Sequence, residues 1–289
     1  MTALAIKNKP WLHMPKIDSH QHFWIFDPVR DSWIDDSMLA IKRDFSPVDL
    51  LPVLQDNGID GCISVQASQT DEETEFLLDH AAVNSFIKGV VGWIDLKADD
   101  LEAKLQGYQH HKKLKGFRHV LQSEPDPQYM LQPAFKKGIG ALKKYGYTYD
   151  ILIFPRHLPY ATQLVAEFPN QKFVVDHLAK PPIKSQEIND WQKDIEALAA
   201  YPNVSCKVSG MLTEADWNAW KPQDFILYLD VVFNAFGANR VMFGSDWPVC
   251  LLAGGYKRTV EIMQTYCTKL STPERDLFWG GNAISFYGL

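Results

Sequence analysis

The sequence predicts an α/β fold, a single (β/α)8 TIM-type barrel of parallel strands with an extended insertion after the first strand. Eight short β-rich runs occur in order along the 289 residues. Stretches with helical patterns separate these runs, and the chain has the usual length of such a barrel. An open doubly wound sheet would be expected to carry a glycine-rich phosphate loop after a strand, and the sequence contains no such run.

The predicted strands are short runs rich in β-branched and aromatic residues, bounded by turn signals or helical patterns. They cover residues 16–23, 61–68, 87–96, 114–121, 148–154, 172–179, 204–210 and 240–248. On the seventh strand, Lys207 and Ser209 share one face and Cys206 and Val208 share the other. The sequence leaves open which of these two faces points into the barrel.

The connecting stretches carry helix start and stop signals. Ser46 precedes Pro47 and predicts the start of a helix that ends near Gly58. Thr70 precedes an acidic first turn, which complements the helix dipole. Residues 28–45 differ from the other connections. They predict an extended insertion that forms a lid or an edge of the pocket.

Composition and charge exclude several classes of function. A net charge of −6 and a pI of about 5.8 give no basic surface for nucleic acid. No run reaches the roughly 18 apolar residues of a membrane span, and residues 1–16 lack the features of a signal peptide. We therefore expect a cytoplasmic protein of one domain, residues 1–289. The cysteines show no metal-binding spacing, so we expect four free buried thiols: Cys62, Cys206, Cys250 and Cys267.

The stretch KIDSHQHFW, residues 16–24, holds two histidines two positions apart. Because side chains alternate between the faces of a strand, His20 and His22 are predicted to converge, with Asp18 further along the same row. Two imidazoles aimed at one point hold a metal ion or polarise a substrate. A surface pair or a hydrogen-bonded pair is the other interpretation that this short motif allows.

Polar and aromatic residues also stand near the ends of the other predicted strands, where the active site of such a barrel lies. They include Gln66, Trp93, Arg118, His119, His177, Lys180, Asp246 and Trp247. The two strand-1 histidines can meet His177 and Asp246 at the barrel mouth. Their nitrogen and oxygen atoms suit one divalent ion, and Asp246 can also take a proton from water.

The segments HQHFW, DHLAKP and FGSDWP resemble the amidohydrolase superfamily. More narrowly, they resemble its amidohydrolase-2 branch, which includes sugar-acid lactonases of the fuconolactonase and rhamnonolactonase type and the pyrone-dicarboxylate lactonase. The resemblance extends from Ile17 to the final NAISFYGL. It implies that Arg118 contacts the substrate and that Gln66 occupies the position of a polar substrate contact. The metal ligands that it implies are His20, His22, His177 and Asp246.

The resemblance implies a hydrolase that opens a sugar-derived lactone to its acid. Asp246 would act as general base on water, while the three histidines, with or without Zn²⁺, would polarise the carbonyl. The chain departs from the two-metal relatives because it has no obvious bridging Lys or Glu on strands 4 or 5. Zinc is the expected ion. A mechanism without a tightly held metal ion stays open, since some similar lactonases work without such an ion.

Several residues near the same strand ends are candidates for substrate binding. Arg118 and Lys180 can bind hydroxyl groups or a carboxylate. Arg118 and His119 point to opposite faces of their strand, and we favour Arg118 as the inward residue while keeping His119 as a candidate. The aromatic candidates, whose ring faces suit a sugar, are Trp24, Trp93 and Trp247.

Two other functions stay open at this point. A non-oxidative decarboxylase of the same branch would use a similar set of His and Asp residues, would depend strictly on a metal and would release CO₂. A barrel that binds a sugar acid or a metal without turnover would not need a general base such as Asp246. The expected partner is a small-molecule substrate, and both a monomer and a homodimer are compatible with the sequence.

Overall fold

The computed structural model describes residues 14–289. Eight strands pair in parallel and follow one another around the sheet in chain order, which confirms the predicted (β/α)8 barrel. The strands are β1 Ile17–Gln21, β2 Gly61–Val65, β3 Ile87–Gly92, β4 Leu114–His119, β5 Thr148–Ile151, β6 Phe173–Val175, β7 Val204–Val208 and β8 Val241–Phe243.

The predicted strands are all present, and each begins within one residue of its predicted start. Each ends earlier than predicted, because the polar residues that follow leave the strand in turns or loops. After β6, for example, residues Asp176–Ala179 form a 3-10 turn. The polar residues of interest therefore lie just beyond the strands, at the barrel mouth.

Backbone contacts between β1 and the segment that follows β8 close the barrel. Gln21 and Trp247 form a parallel bridge. The amide of Asp246 donates to the carbonyl oxygen of His20 at 2.8 Å, and the amide of His22 donates to that of Trp247 at 2.7 Å. The closure thus fixes the backbones of His20, His22 and Asp246 against one another.

Helices alternate with the strands, as predicted. Ser46 and Asp49 form a reciprocal capping box at the start of the first helix, and Thr70 caps the second by accepting from the amide of Glu73 at 3.2 Å. The helices are α1 Pro47–Asp56, α2 Asp71–Val83, α3 Leu101–Tyr108, α4 Pro133–Tyr145, α5 Leu158–Glu167, α6 Asn189–Ala199, α7 Met211–Glu214, α8 Gln223–Phe236, α9 Gly255–Tyr266, α10 Thr272–Asp276 and α11 Asn282–Tyr287. Further 3-10 turns are Asp36–Ile41, Leu121–Ser123, Tyr129–Leu131, Pro155–His157, Val249–Ala253 and Cys267–Lys269, and a π turn is Leu277–Gly281.

Two apolar layers hold the barrel together. The outer layer packs the helices against the strands, and the inner one fills the lower part of the barrel with side chains such as Ile63, Val65 and Met242. Phe286 and Tyr287 of α11 join the inner layer, and Lys115 at the start of β4 donates to the Gly288 carbonyl oxygen at 2.9 Å. Helix α11 therefore closes the amino-terminal end of the barrel.

The insertion, residues 28–45, is anchored to the segment that follows β1. Trp24 and Phe45 form an antiparallel bridge, with backbone hydrogen bonds of 3.0 and 2.9 Å. Ile34 and Ile41 of the insertion are buried. The insertion thus ends beside Trp24, two residues after His22, which places it beside the barrel mouth.

The structure tests some of the expectations about cysteines, membrane spans and domain bounds. Each of the four cysteines is free and buried, as predicted. Within residues 14–289, no helix combines the length and the apolar character needed to cross a membrane. The first thirteen residues of the predicted domain lie outside the described part of the chain.

Candidate active site

Three histidines and one aspartate meet at the carboxyl ends of the strands. Nε2 of His20 lies 3.1 Å from Nε2 of His22. Oδ1 of Asp246 lies 3.4 Å from Nε2 of His22 and 3.8 Å from the Nε2 atoms of both His20 and His177. All four side chains are buried. The structure thus brings together the four residues that the sequence predicts as the centre.

Each of these histidines is oriented through its other ring nitrogen. Nδ1 of His22 lies 2.8 Å from a carbonyl oxygen at the end of β2. Nδ1 of His177 lies 2.8 Å from Oγ of Ser209, and Nδ1 of His20 lies 3.3 Å from Oδ1 of Asp176. When Nδ1 donates to these oxygens, each Nε2 presents its lone pair to the centre.

The backbone turns sharply where it delivers His177 and Asp246. Residues 177–180 all have φ between 53° and 57°, and Asp246 has φ of 57°. Left-handed backbone costs a non-glycine residue roughly 1–3 kcal/mol and persists where the surrounding structure enforces it. These bends direct both side chains back over the barrel axis.

Two glycines allow the close approach of the imidazoles. A Cβ atom on Gly210 would lie 2.6 Å from Nδ1 of His177, and one on Gly244 would lie 2.8 Å from Cβ of His20. A larger residue at either position would displace the adjacent histidine. Gly210 also has φ of +63°, which favours glycine.

Burial and neighbouring groups together set the pKa values of His20, His177 and Asp246. Burial lowers the pKa of His20 and His177 well below 6.5, because a buried imidazolium loses its hydration. Burial alone would raise the pKa of Asp246, but the His177 ring and the hydrogen bond to His22 hold that pKa below its usual 3.8. At neutral pH His20 and His177 are therefore neutral and lie beside an ionised Asp246.

A layer of buried charges lies inside the barrel beneath the cluster. Nζ of Lys207 lies 2.5 Å from Oδ2 of Asp150 and 3.0 Å from Oδ1 of Asp176. Nη1 of Arg118 lies 3.1 Å from Oδ2 of Asp176, and the Tyr287 hydroxyl donates to Oδ2 of Asp150 at 2.9 Å. The two cations and two anions neutralise each other, as fully buried charges require.

This charged layer also touches His20. Nη1 of Arg118 lies 3.2 Å from its Nε2, and Nζ of Lys207 lies 3.3 Å from its Nδ1. Burial alone would raise the pKa of Asp176, but the charges of Lys207 and Arg118 and its contact with His20 hold that pKa well below 3.8. An ionised Asp176 thus fixes both His20 and Arg118 in place.

The sequence places Asp150, Asp176, Lys207 and Ser209 on or near the strand ends, but sequence reasoning assigned them no role in the site. The alternation of β7 left its inward face undecided, and the structure turns Lys207 and Ser209 inward. A signal was nevertheless present. Asp150 and Lys207 each lie within a strand predicted to be buried, and burial of an unpaired charge is costly enough to predict that the two meet.

Asp18 does not lie in the same row as His20. The register of β1 against β2 shifts between Asp18 and Gln21. This irregularity interrupts the expected alternation of side chains. Asp18 instead accepts from the Ser245 hydroxyl at 2.6 Å and from the Tyr256 hydroxyl of α9 at 3.0 Å. It ties β1 to β8 and to α9 rather than facing the centre.

The predicted substrate-binding residues of β2 to β4 divide into two groups. Oε1 of Gln66 accepts from Nη2 of Arg118 at 3.0 Å, so both belong to the inward-facing network. His119 points the other way, as its alternation with Arg118 requires. Its Nε2 lies 2.6 Å from Oε1 of Glu124, and its Nδ1 accepts from Nε1 of Trp93 at 3.4 Å. His119 and Trp93 thus form a separate cluster.

The remaining candidates surround the mouth. Trp24 is 5% exposed and Trp247 is 2% exposed. Nε1 of Trp24 donates to a backbone carbonyl of the insertion, and Trp247 packs on Phe45 with ring centroids 5.2 Å apart. Both indoles are held in the core of the insertion. Lys180 is more open and forms an ion pair with Glu214 at 3.5 Å.

Comparison with known proteins places the chain in a family. The sequence profile of the family described as amidohydrolase matches residues 17–289. The chain belongs to the amidohydrolase family. Over 285 residues this amidohydrolase is 38% identical to the L-fucono-1,5-lactonase of Burkholderia multivorans, covering 95% of this chain and 96% of that protein.

Solved structures extend the comparison. The crystal structure of an amidohydrolase from Burkholderia multivorans with bound zinc has a TM-score of 0.91 and 38% identity, covering 95% of this chain and 99% of that chain. The 2,6-dihydroxybenzoate decarboxylase from Rhizobium has a TM-score of 0.65 and 14% identity over 95% of this chain and 99% of its own. At that identity the likeness shows the fold alone.

The residues of this amidohydrolase fit one divalent metal ion. Ligand atoms of His20, His177 and Asp246 all lie within 4.8 Å of one another. Two imidazole nitrogens and a carboxylate oxygen are ligands that zinc accepts, and the contacts at Nδ1 orient the rings as in other metal sites. The metal-ligand role predicted for His22 rests on its Nε2 atom, which lies 3.1 Å from Nε2 of His20.

Proposed function

We propose that this amidohydrolase hydrolyses a sugar-derived lactone to its open-chain acid. The observation that carries the proposal is 38% identity to an L-fucono-1,5-lactonase along nearly the whole chain. The site supports it independently, since three imidazoles converge on an ionised carboxylate. Water activation and carbonyl polarisation, the two requirements of ester hydrolysis, thus have candidate groups within 4 Å of each other.

Asp246 is the general base in this proposal. Its pKa, below 3.8, keeps it ionised at neutral pH, and its Oδ1 atom faces all three imidazoles. It would take a proton from water as the water oxygen bonds to the lactone carbonyl carbon. It would return this proton to the ring oxygen as the bond between the carbonyl carbon and that oxygen breaks. Atoms and charge balance without a covalent nucleophile.

The carbonyl oxygen becomes negative during the attack, and Arg118 is well placed to stabilise it. The guanidinium lies 3.2 Å from Nε2 of His20 and is held by Asp176 and Gln66. A donor fixed before the reaction costs little reorganisation when charge develops. A divalent ion bound to the His20, His177 and Asp246 group would supply Lewis-acid polarisation of the same carbonyl.

The substrate is expected to be a small sugar lactone, and L-fucono-1,5-lactone is the first compound to test because of the relatives. The sugar would enter from the barrel mouth, since α11 closes the opposite end. Whether the protein acts as a monomer or as a homodimer stays a prediction, as does a cytoplasmic location.

A pH-indicator assay tests the proposal. Purified protein is mixed with a panel of 1,4- and 1,5-aldonolactones, with no addition, with chelator, and with chelator followed by Zn²⁺. Enzyme-dependent acid release above the spontaneous rate supports lactone hydrolysis, and the chelator arm measures the metal requirement. If no lactone releases acid in any arm, the proposal is wrong.

The decarboxylase has weaker support than the lactonase, because its structural relatives share only the fold with this chain. CO₂ release from aromatic acids in the same preparation would favour it. A barrel that binds without turnover is also testable, because it would bind a lactone without releasing acid.

A further inference from the structure

Lys180 and Glu214 lie on the two loops that flank the proposed catalytic centre. Lys180 is the last of the four left-handed residues that follow β6 and begin with His177. Glu214 is the last residue of α7, which follows β7 and starts after Gly210. The amide of Lys184 donates to the carbonyl oxygen of Glu214 at 3.0 Å, so the two loops are joined.

The two side chains are partly exposed to solvent. Lys180 is 19% exposed and Glu214 is 22% exposed at the side chain. Burial raises the pKa of Glu214, and the charge of Asp246 adds to this effect. The ammonium of Lys180 in turn lowers the pKa of both His177 and Asp246. The pair is therefore within electrostatic range of the centre and still open to a ligand.

The geometry of the pair leaves hydrogen-bonding capacity unused. Nζ of Lys180 lies 3.5 Å from Oε1 of Glu214, which is longer than the 2.5 Å between Lys104 and Asp71 on the outer surface. An ammonium with three donors and a carboxylate with two acceptor oxygens can both still bind a third group. Phe154 lies under the ammonium, with 5.3 Å from Nζ to the ring centroid, and limits its movement.

We infer that Lys180 and Glu214 together bind one ring hydroxyl of the sugar lactone and so contribute to substrate specificity. A hydroxyl group both accepts and donates, so Lys180 would donate to its oxygen while Glu214 accepts its proton. This inference rests on the proposed lactone hydrolysis and assigns Glu214 a role in it. A lactone without that hydroxyl would leave both charged groups without their partner, which weakens binding in the transition state.

Deoxy analogues combined with variants test the inference. The value of kcat/KM is measured for L-fucono-1,5-lactone and for its analogues that lack the 2-, 3- or 4-hydroxyl, with wild type, E214Q and K180M. In wild type, removal of one particular hydroxyl is expected to lower kcat/KM by about 10- to 100-fold. In E214Q and K180M the parent lactone suffers a similar loss, and removal of the same hydroxyl has little further effect.

A matched control lies on the same two loops. Lys184 and Asp216 also form an ion pair at 3.5 Å, but their side chains are 70% and 47% exposed. K184M and D216N are expected to leave all four kcat/KM values unchanged. Melting temperatures of all variants show whether a loss comes from unfolding.

Two results would overturn the inference. An equal loss in E214Q for the parent lactone and every analogue would show that Glu214 does not recognise a hydroxyl. Unchanged kinetics in folded E214Q would show that it has no role. If wild type hydrolyses neither the parent lactone nor any lactone of the aldonolactone panel, the proposed function fails and the inference fails with it.

Discussion

The Nδ1 atom of His177 lies 2.8 Å from the hydroxyl oxygen of Ser209, and no Cβ could be added to the neighbouring Gly210 without contacting the same ring. The serine holds the imidazole on one side while the glycine leaves room for it. Because Nδ1 is held in this way, Nε2 is directed to Asp246 at 3.8 Å. The orientation of His177 is therefore built by the end of β7, a strand that contributes none of the predicted ligands.

Replacement of Ser209 by Ala tests this orientation. Without the hydroxyl, the ring can rotate and its Nε2 loses a fixed direction. We expect S209A to weaken zinc binding about 10- to 100-fold, because contacts behind a histidine ligand typically have that effect. Competition with a chromophoric chelator measures the affinity. S209T keeps the hydroxyl group and should retain most of the zinc affinity. Equal zinc affinity in wild type and S209A would contradict this role for Ser209.

Lys207 provides a test of the buried charge layer. Its ammonium is fully buried between Asp150 and Asp176. K207M would leave two carboxylates close together in the barrel without their cation. We expect the free energy of unfolding to fall by about 3–5 kcal/mol, as for other broken buried ion pairs. Denaturant titration of wild type and variant gives the difference.

The control for Lys207 is an ion pair on the surface. Lys136 lies 2.8 Å from Glu167, and both side chains are partly exposed. K136M should change the unfolding free energy by less than about 1 kcal/mol. An equally small change in the free energy of unfolding for K207M and K136M would contradict a stabilising role for the buried Lys207 ammonium.

The pH dependence of turnover follows from the lowered pKa values in the centre. His20 and His177 titrate well below 6.5 and Asp246 below 3.8, so each reaches its active, deprotonated form as pH rises. Activity should therefore be lost only on the acid side. We expect kcat/KM, corrected for spontaneous hydrolysis, to be constant from pH 6.5 to about 8. An acid limb with an apparent pKa of 6.5 or above would disagree with burial of neutral histidines.

The sequence allowed prediction of the strands and of the residues at their ends, because apolar runs and polar strand ends are local patterns. It could not define the direction of every side chain. The register shift between Asp18 and Gln21 depends on how β1 pairs with β2, and it separates Asp18 from His20. The inward direction of Lys207 likewise depends on its partners Asp150 and Asp176, which come from other strands.

Tryptophans show a second limit of sequence reasoning. Trp247 follows the proposed base directly, and the sugar-binding role expected for its ring stays a prediction. The structure places this ring against Phe23 and Phe45, where it supports the insertion. Glu214, by contrast, stands in no recognisable motif. Only the three-dimensional contact between the loops after β6 and β7 brings it next to Lys180.

The central claim is that Asp246 activates water for hydrolysis of a sugar lactone. The most direct test is acid release from L-fucono-1,5-lactone by wild type and D246N, both checked for folding by circular dichroism. We predict rapid release by wild type and a fall in kcat of about 10²- to 10⁴-fold in D246N with a similar KM, since the amide cannot take the proton. A folded D246N with a kcat close to that of wild type would contradict the claim.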